Sequence, residues 1–141
     1  MRTEADGAVL RITSDAPWED KVGYRRAVVH GGLVWVAGTV AVGEDGRPFA
    51  PGDAGAQAGR CLEIIARALE AAGTDTAHVV RTRMFVTDMS PQVQAAVGEA
   101  HRRVFGAHPP ASTMVGVSAL ATPDYLVEIE ADAVLPSTVR S

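Results

Sequence analysis

The segment Tyr125-Leu126-Val127-Glu128-Ile129-Glu130-Ala131-Asp132-Ala133 limits what this chain can fold into more than any other stretch. Its period of two sends Tyr125, Val127, Ile129, Ala131 and Ala133 to one face of a strand and Leu126, Glu128, Glu130 and Asp132 to the other. A strand divided in this way belongs in a sheet with one face buried under apolar partners and the other left to polar ones. Three acids on one face have two readings, a solvated or edge-protecting face and a carboxylate aimed into a cleft. Upstream, Pro110-Ala111-Ser112-Thr113-Met114-Val115 reads as a second strand.

The remaining patterns supply the partners. Tyr24 to His30 alternates, Gly31-Gly32 interrupts, and Leu33 to Val40 resumes, which predicts a β-hairpin with a glycine turn. Asp53 offers an N-cap to a helix whose apolar positions Ala54, Ala58, Cys61, Leu62, Ile65, Leu69 and Ala72 recur every three or four residues until Gly73. Val79 to Thr87 is rich in β-branched residues and predicts a strand with Arg81, Arg83 and Phe85 on one face. Ser90 and Pro91 open a second helix, with Val93, Val97, Ala100 and Val104 as its apolar stripe and Gly106 as its stop. The expectation is one α+β domain over residues 1–141, a mixed sheet of four to six strands with two helices on one face. Its other face then meets solvent or another subunit, and Val28, Trp35, Met84 and Val115 are expected to contribute to oligomerisation there.

Composition excludes several functions. A formal net charge of -4, with no run of Lys or Arg, argues against nucleic acid as a partner. The first residues lack the apolar core of a signal peptide, and no apolar run approaches the length of a membrane span, so a soluble, cytoplasmic protein without a membrane partner is expected. One cysteine, Cys61, excludes an intramolecular disulfide and reads as a buried small apolar residue. The four histidines show no ligand spacing, so no metal is expected. Lys21 is the only lysine and lies in a polar segment, which sets Schiff-base chemistry aside.

Taken in order, Gly23-Tyr24, Val36-Ala37-Gly38-Thr39, the Gln57 helix ending Ala71-Ala72-Gly73, Val79-Val80-Arg81-Thr82, Val86-Thr87-Asp88-Met89, Phe105, Pro110-Ala111 and Val127-Glu128-Ile129-Glu130-Ala131 resemble the Rid, or YjgF, family of reactive imine and enamine deaminases. The resemblance implies a chorismate-mutase-like fold, a homotrimer with clefts between subunits, and hydrolysis of an imine to a carbonyl compound without metal or organic cofactor. By resemblance, Glu128 matches the cleft glutamate that orients water or moves protons, and Tyr24 matches the cleft tyrosine. Other positions depart from the deaminase pattern: Ser112 stands where the family has a carboxylate-clamping arginine, Met114 where it has a cysteine, and Ala37 where it has a serine. The resemblance is therefore to branches lacking that arginine.

For each candidate a structural reading stands beside the functional one. Glu128 is a general acid or base, or the partner of Arg81 or Arg83 across strands. Tyr24 is a cleft phenol or a packed hairpin aromatic. Arg26, on the Tyr24 face, replaces the missing clamp or forms a surface ion pair. His101 transfers protons or packs at the margin of the second helix. Ser112 and Thr113 bind a ligand carbonyl or are ordinary strand residues, Ala37, Thr39 and Met114 line the cleft, and Trp18 is a lid or an interface aromatic. Three functions follow: an imine or enamine hydrolase acting on a substrate other than simple 2-imino acids, a non-catalytic small-molecule-binding or regulatory trimer, or a pathway enzyme for a larger neutral intermediate.

Overall fold

A computed structural model describes residues 1–136. Among the described residues seven strands form one sheet, β1 (Arg2–Asp6), β2 (Val9–Thr13), β3 (Ala27–His30), β4 (Leu33–Val40), β5 (Val79–Val86), β6 (Ala111–Gly116) and β7 (Val127–Val134), in the order β1-β2-β3-β4-β7-β5-β6. The helices are α1 (Pro17–Val22), α2 (Ala54–Ala72) and α3 (Pro91–Phe105), with one 3₁₀ turn at Thr76–His78. No described helix is long and apolar enough to cross a membrane.

Strands β5 and β6 run parallel, joined through α3, while β7 runs antiparallel to both β4 and β5 and fills the gap between them. The two crossovers through α2 and α3 therefore step in the same direction along the sheet. Right-handed crossovers in one direction place both helices on the same face, and α2 and α3 pack against each other so closely that a Cβ on Gly55 would lie 3.2 Å from that of Ala96. The core lies between this helix layer and the sheet, where Ile65, Leu69, Val97 and Phe105 meet Val34, Val86, Val127, Ile129 and Ala131. Strand β7 alternates as its sequence requires: Val127, Ile129, Ala131 and Ala133 are buried, and Glu128, Glu130 and Asp132 face away.

The caps read from sequence hold. Asp53 accepts the Ala56 N–H and Gly73 closes α2 at φ 93°, while Ser90 accepts the Val93 N–H at the start of α3. Cys61 is fully buried and its thiol is pushed up to about 12, chiefly by burial. Five expectations need correcting. The sheet has seven strands, because the N-terminal segment makes a β1–β2 hairpin that adds to β3, and a third, short helix precedes Tyr24. The first predicted strand begins at Ala27 rather than Tyr24. Met84 is buried on the helix face, since its neighbours Arg81 and Arg83 turn outward to the acids of β7. On α3 the larger Phe105 takes the core position and leaves Val104 exposed.

Candidate functional site

The site begins with a bulge. Between Val36 and Thr39 strand β4 has one more residue than its partner β7, and Gly38 falls in that irregularity. A Cβ at position 38 would collide with the Glu128 carboxylate, so glycine lets this side chain lie flat against β4. Glu128 enters β7 from a segment anchored by Gln57, which is fully buried on α2, donates to the carbonyls of Ala50 and Asp124, and accepts the Leu126 N–H. Rigid placement of Glu128 thus depends on an amide of α2, 69 residues before Leu126 in the chain.

Arg26 stands on the other side of Gly38. Its guanidinium donates to the Gly38 carbonyl at 2.9 Å and to Thr39 Oγ1 at 3.3 Å, and lies over the Tyr24 ring with its central carbon 5.5 Å from the centroid. Thr39 is buried and its hydroxyl donates to the Ala37 carbonyl at 2.8 Å. Tyr24, Arg26, Gly38 and Val40 line a cavity of about 450 Å³ that extends past Trp18 to Ile64 and Arg67 of α2. Burial raises the Glu128 pKa, Arg26 opposes that rise and Glu130 adds to it, and the net position is above the ordinary carboxyl value of 4.5. Among the described residues no donor hydrogen-bonds to this carboxylate.

The acids next to it have a different fate. Arg83 bridges Glu130 and Asp132, each at 3.3 Å, which satisfies the cross-strand pairing and leaves Glu128 out of it. Helix α1 is held by Glu19, a residue that sequence reasoning passed over. Its buried carboxylate accepts the Thr13 hydroxyl at 2.7 Å, the Ser14 N–H at 3.0 Å and the Ser14 hydroxyl, and its carbonyl accepts the N–H groups of Gly23 and Tyr24. This clamp orients both Trp18, which is exposed with Lys21 over its ring, and Tyr24. The signal was the run of hydroxyls Thr13-Ser14 ahead of a short helix.

Ser112, Met114 and His101 lie on the opposite side of the sheet. Ser112 pairs with Thr82 in the β5–β6 register, and Thr82 faces the helices, so within one chain Ser112 and Glu128 point to opposite faces. The Ser112 hydroxyl meets that of Thr82 at 2.7 Å, and Thr82 Oγ1 lies 2.8 Å from His101 Nε2. Thr113 pairs with Arg83 on the open face, and Ala37 lines a shallow depression there with Trp35, Arg83, Glu130 and Asp132.

A mixed sheet with helices on one face, and polar groups gathered at a strand bulge on the other, defines a small α+β protein of the YjgF/UK114 class. The family model described as Endoribonuclease L-PSP matches residues 13–135, and the chain belongs to this family, the Rid or YjgF family. The crystal structure of Rv2704 from Mycobacterium tuberculosis, itself a member of the YjgF/YER057c/UK114 family, superposes with a TM-score of 0.80 at 43% identity, covering 90% of this chain and 99% of that one. The protein SCO2049 of Streptomyces coelicolor is 34% identical over 126 residues, 89% of this chain and 92% of its own length. The structure of Escherichia coli TdcF with bound serine gives a TM-score of 0.74 at 25% identity, covering 96% of this chain and all of that one.

Proposed function

We propose that this protein is a cytoplasmic, homotrimeric hydrolase of imines or enamines, needing no metal or organic cofactor, whose substrate is not a simple 2-imino acid. One observation carries the reading. A carboxyl group raised in pKa by burial, with no hydrogen-bond donor among the described residues, is laid against Gly38, and Gly38 lines a cavity together with Arg26 and Tyr24. Such a group is protonated more readily than a surface carboxylate, so it can give a proton to an imine nitrogen and take one from the attacking water. The balance is simple: water adds to the C=N carbon, the C–N bond breaks, and the products are a carbonyl compound and ammonia. Glu128 ends as it began.

The placement of Ser112 on the far side of the sheet supports an interfacial cleft, since position 112 can share a cavity only with the Glu128 of a neighbouring subunit. Exposed Trp35, Leu33 and Val115 give the sheet apolar surface for such an assembly. A serine at 112 cannot clamp a carboxylate as an arginine does, which turns the cleft away from 2-aminoacrylate. Bound serine in the TdcF structure supports a ligand of amino-acid size in this fold. A trimer that binds such a ligand without turnover is the second reading, favoured by Ala37, Ser112 and Met114 in place of the deaminase residues.

The test is substrate loss on 2-aminoacrylate and on bulkier imines generated in place by an amino-acid oxidase, with Ser112→Arg alongside wild type. Wild type is expected to be slow on 2-aminoacrylate and Ser112→Arg to gain activity on carboxylate-bearing imines. Turnover of no imine by either protein moves the binding trimer ahead. Turnover of 2-aminoacrylate by wild type at the rate of an arginine-bearing relative refutes the substrate assignment.

A further inference from the structure

Three polar side chains form a hydrogen-bonded chain on the helix side of the sheet: Ser112 Oγ, Thr82 Oγ1 at 2.7 Å from it, and His101 Nε2 at 2.8 Å from Thr82. Ser112 is exposed on the edge strand β6, His101 is half-buried on α3 with its ring centroid 4.6 Å from that of Phe105, and Thr82 is fully buried between them. A hydroxyl in the middle of an otherwise apolar strand face is costly unless it is bonded. Valine would fill the same space, so the threonine at 82 is explained by its two polar neighbours.

A threonine hydroxyl has one proton and cannot donate to both. Two arrangements therefore satisfy the chain. In one, His101 Nε2–H donates to Thr82, Thr82 donates to Ser112, and the Ser112 proton is left to point outward. In the other, Ser112 donates to Thr82, Thr82 donates to the bare Nε2, and Ser112 presents only lone pairs. Among the described residues nothing hydrogen-bonds to His101 Nδ1, so the far side of the ring does not fix the tautomer. Burial lowers the His101 pKa, which keeps the ring neutral at neutral pH and both tautomers open to it.

We infer that Thr82 and His101 are positioning residues that hold the Ser112 hydroxyl as an uncharged, directional anchor for the carbonyl oxygen of a neutral ligand, in particular a carboxamide or ketone. The inference rests on the reading of position 112 as part of the cleft. A single donor satisfies a carbonyl oxygen. A carboxylate set against the same hydroxyl gives up hydration and gains no counter-charge, because the whole chain is neutral. Ligand binding selects the arrangement in which His101 carries its proton on Nε2.

The experiment titrates pyruvamide and pyruvate, neutral and anionic analogues of a deamination product, into the full-length protein and follows affinity and the His101 ring nitrogens by NMR. Wild type is expected to bind pyruvamide about threefold to tenfold more tightly than pyruvate, with the imidazole moving to the Nε2–H tautomer. Thr82→Val and His101→Phe each erase that preference with Ser112 still in place, and Thr82→Ser retains it. Equal affinities in wild type, or a preference that survives Thr82→Val, overturn the inference. If both compounds bind, and Ser112→Arg tightens pyruvate while Thr82→Val leaves the wild-type affinities unchanged, the cleft reading stands and the inference alone falls. If neither compound binds, the cleft reading falls and takes the inference with it.

Discussion

Two glutamates within this fold, Glu19 and Glu128, show what separates a carboxylate that builds a site from one available for chemistry. Both leave solvent, Glu19 almost wholly and Glu128 in part. Burial alone pushes either pKa upward. At Glu19 the hydrogen bonds from Ser14 and Thr13 more than offset that push, and its pKa ends below the ordinary value. At Glu128 only the field of Arg26 opposes burial, no donor among the described residues bonds to the carboxylate, and its pKa ends above. The bonded acid is committed to holding α1, Trp18 and Tyr24 in place. The unbonded one can still exchange a proton.

The largest break in this comparison is expected from Glu128→Gln. The amide keeps the shape against Gly38 and removes the proton, so turnover of any imine that wild type hydrolyses should fall by about a hundredfold or more, with ligand affinity largely retained. Steady-state rates and a binding titration on the same two proteins check it. A variant with unchanged turnover would place the chemistry elsewhere.

Glu19→Gln should do the opposite. It replaces an acceptor of three hydrogen bonds with a group that must turn an NH₂ toward at least one donor, and is expected to cost about 2 kcal/mol of stability. Thermal melts read this directly, and a lower kcat should follow only as far as Tyr24 loses its position. Loss of turnover without loss of stability at Glu19 would reverse the roles assigned to the two residues.

How much of this was legible in the sequence follows from how local each cause is. The caps at Asp53 and Ser90, the stop at Gly73 and the two faces of β7 depend on neighbours a few residues away, and the sequence shows them. Strand β1 is mostly exposed and carries Arg2, Glu4 and Asp6, while β2 is only five residues long and interrupted by Arg11, so no apolar alternation announces the hairpin. The insertion of β7 between β4 and β5 is a long-range pairing that periodicity cannot express. Family resemblance singled out Tyr24 and Glu128, and the strand register brings Arg26 to them through the carbonyl of Gly38. It included Thr82 among the matching residues but gave it no role, since its partners Ser112 and His101 lie on different elements 30 and 19 residues away. Nor did it mark Glu19, whose role depends on a turn that the hairpin creates.

The smallest expected effect, and the one that sharpens the comparison most, is the pH dependence of stability. Glu19 has a depressed folded pKa, so its contribution is present above the ordinary value of 4.5 and is lost as pH falls through the folded value. Glu128 has a raised folded pKa, so its ionised form is a burden. That burden is absent below 4.5, grows as pH rises toward the folded pKa, and is complete above it. Glu128→Gln should therefore gain stability at neutral pH, of the order of 1 kcal/mol, and the gain should vanish in acid. Glu19→Gln should lose stability at neutral pH and approach wild type in acid. Urea midpoints for the three proteins between pH 3.5 and 7.5 would show two differences of opposite sign that both close on acidification. Parallel curves would mean that neither carboxyl differs between the folded and unfolded chain, and the division of labour between Glu19 and Glu128 would lose its physical basis.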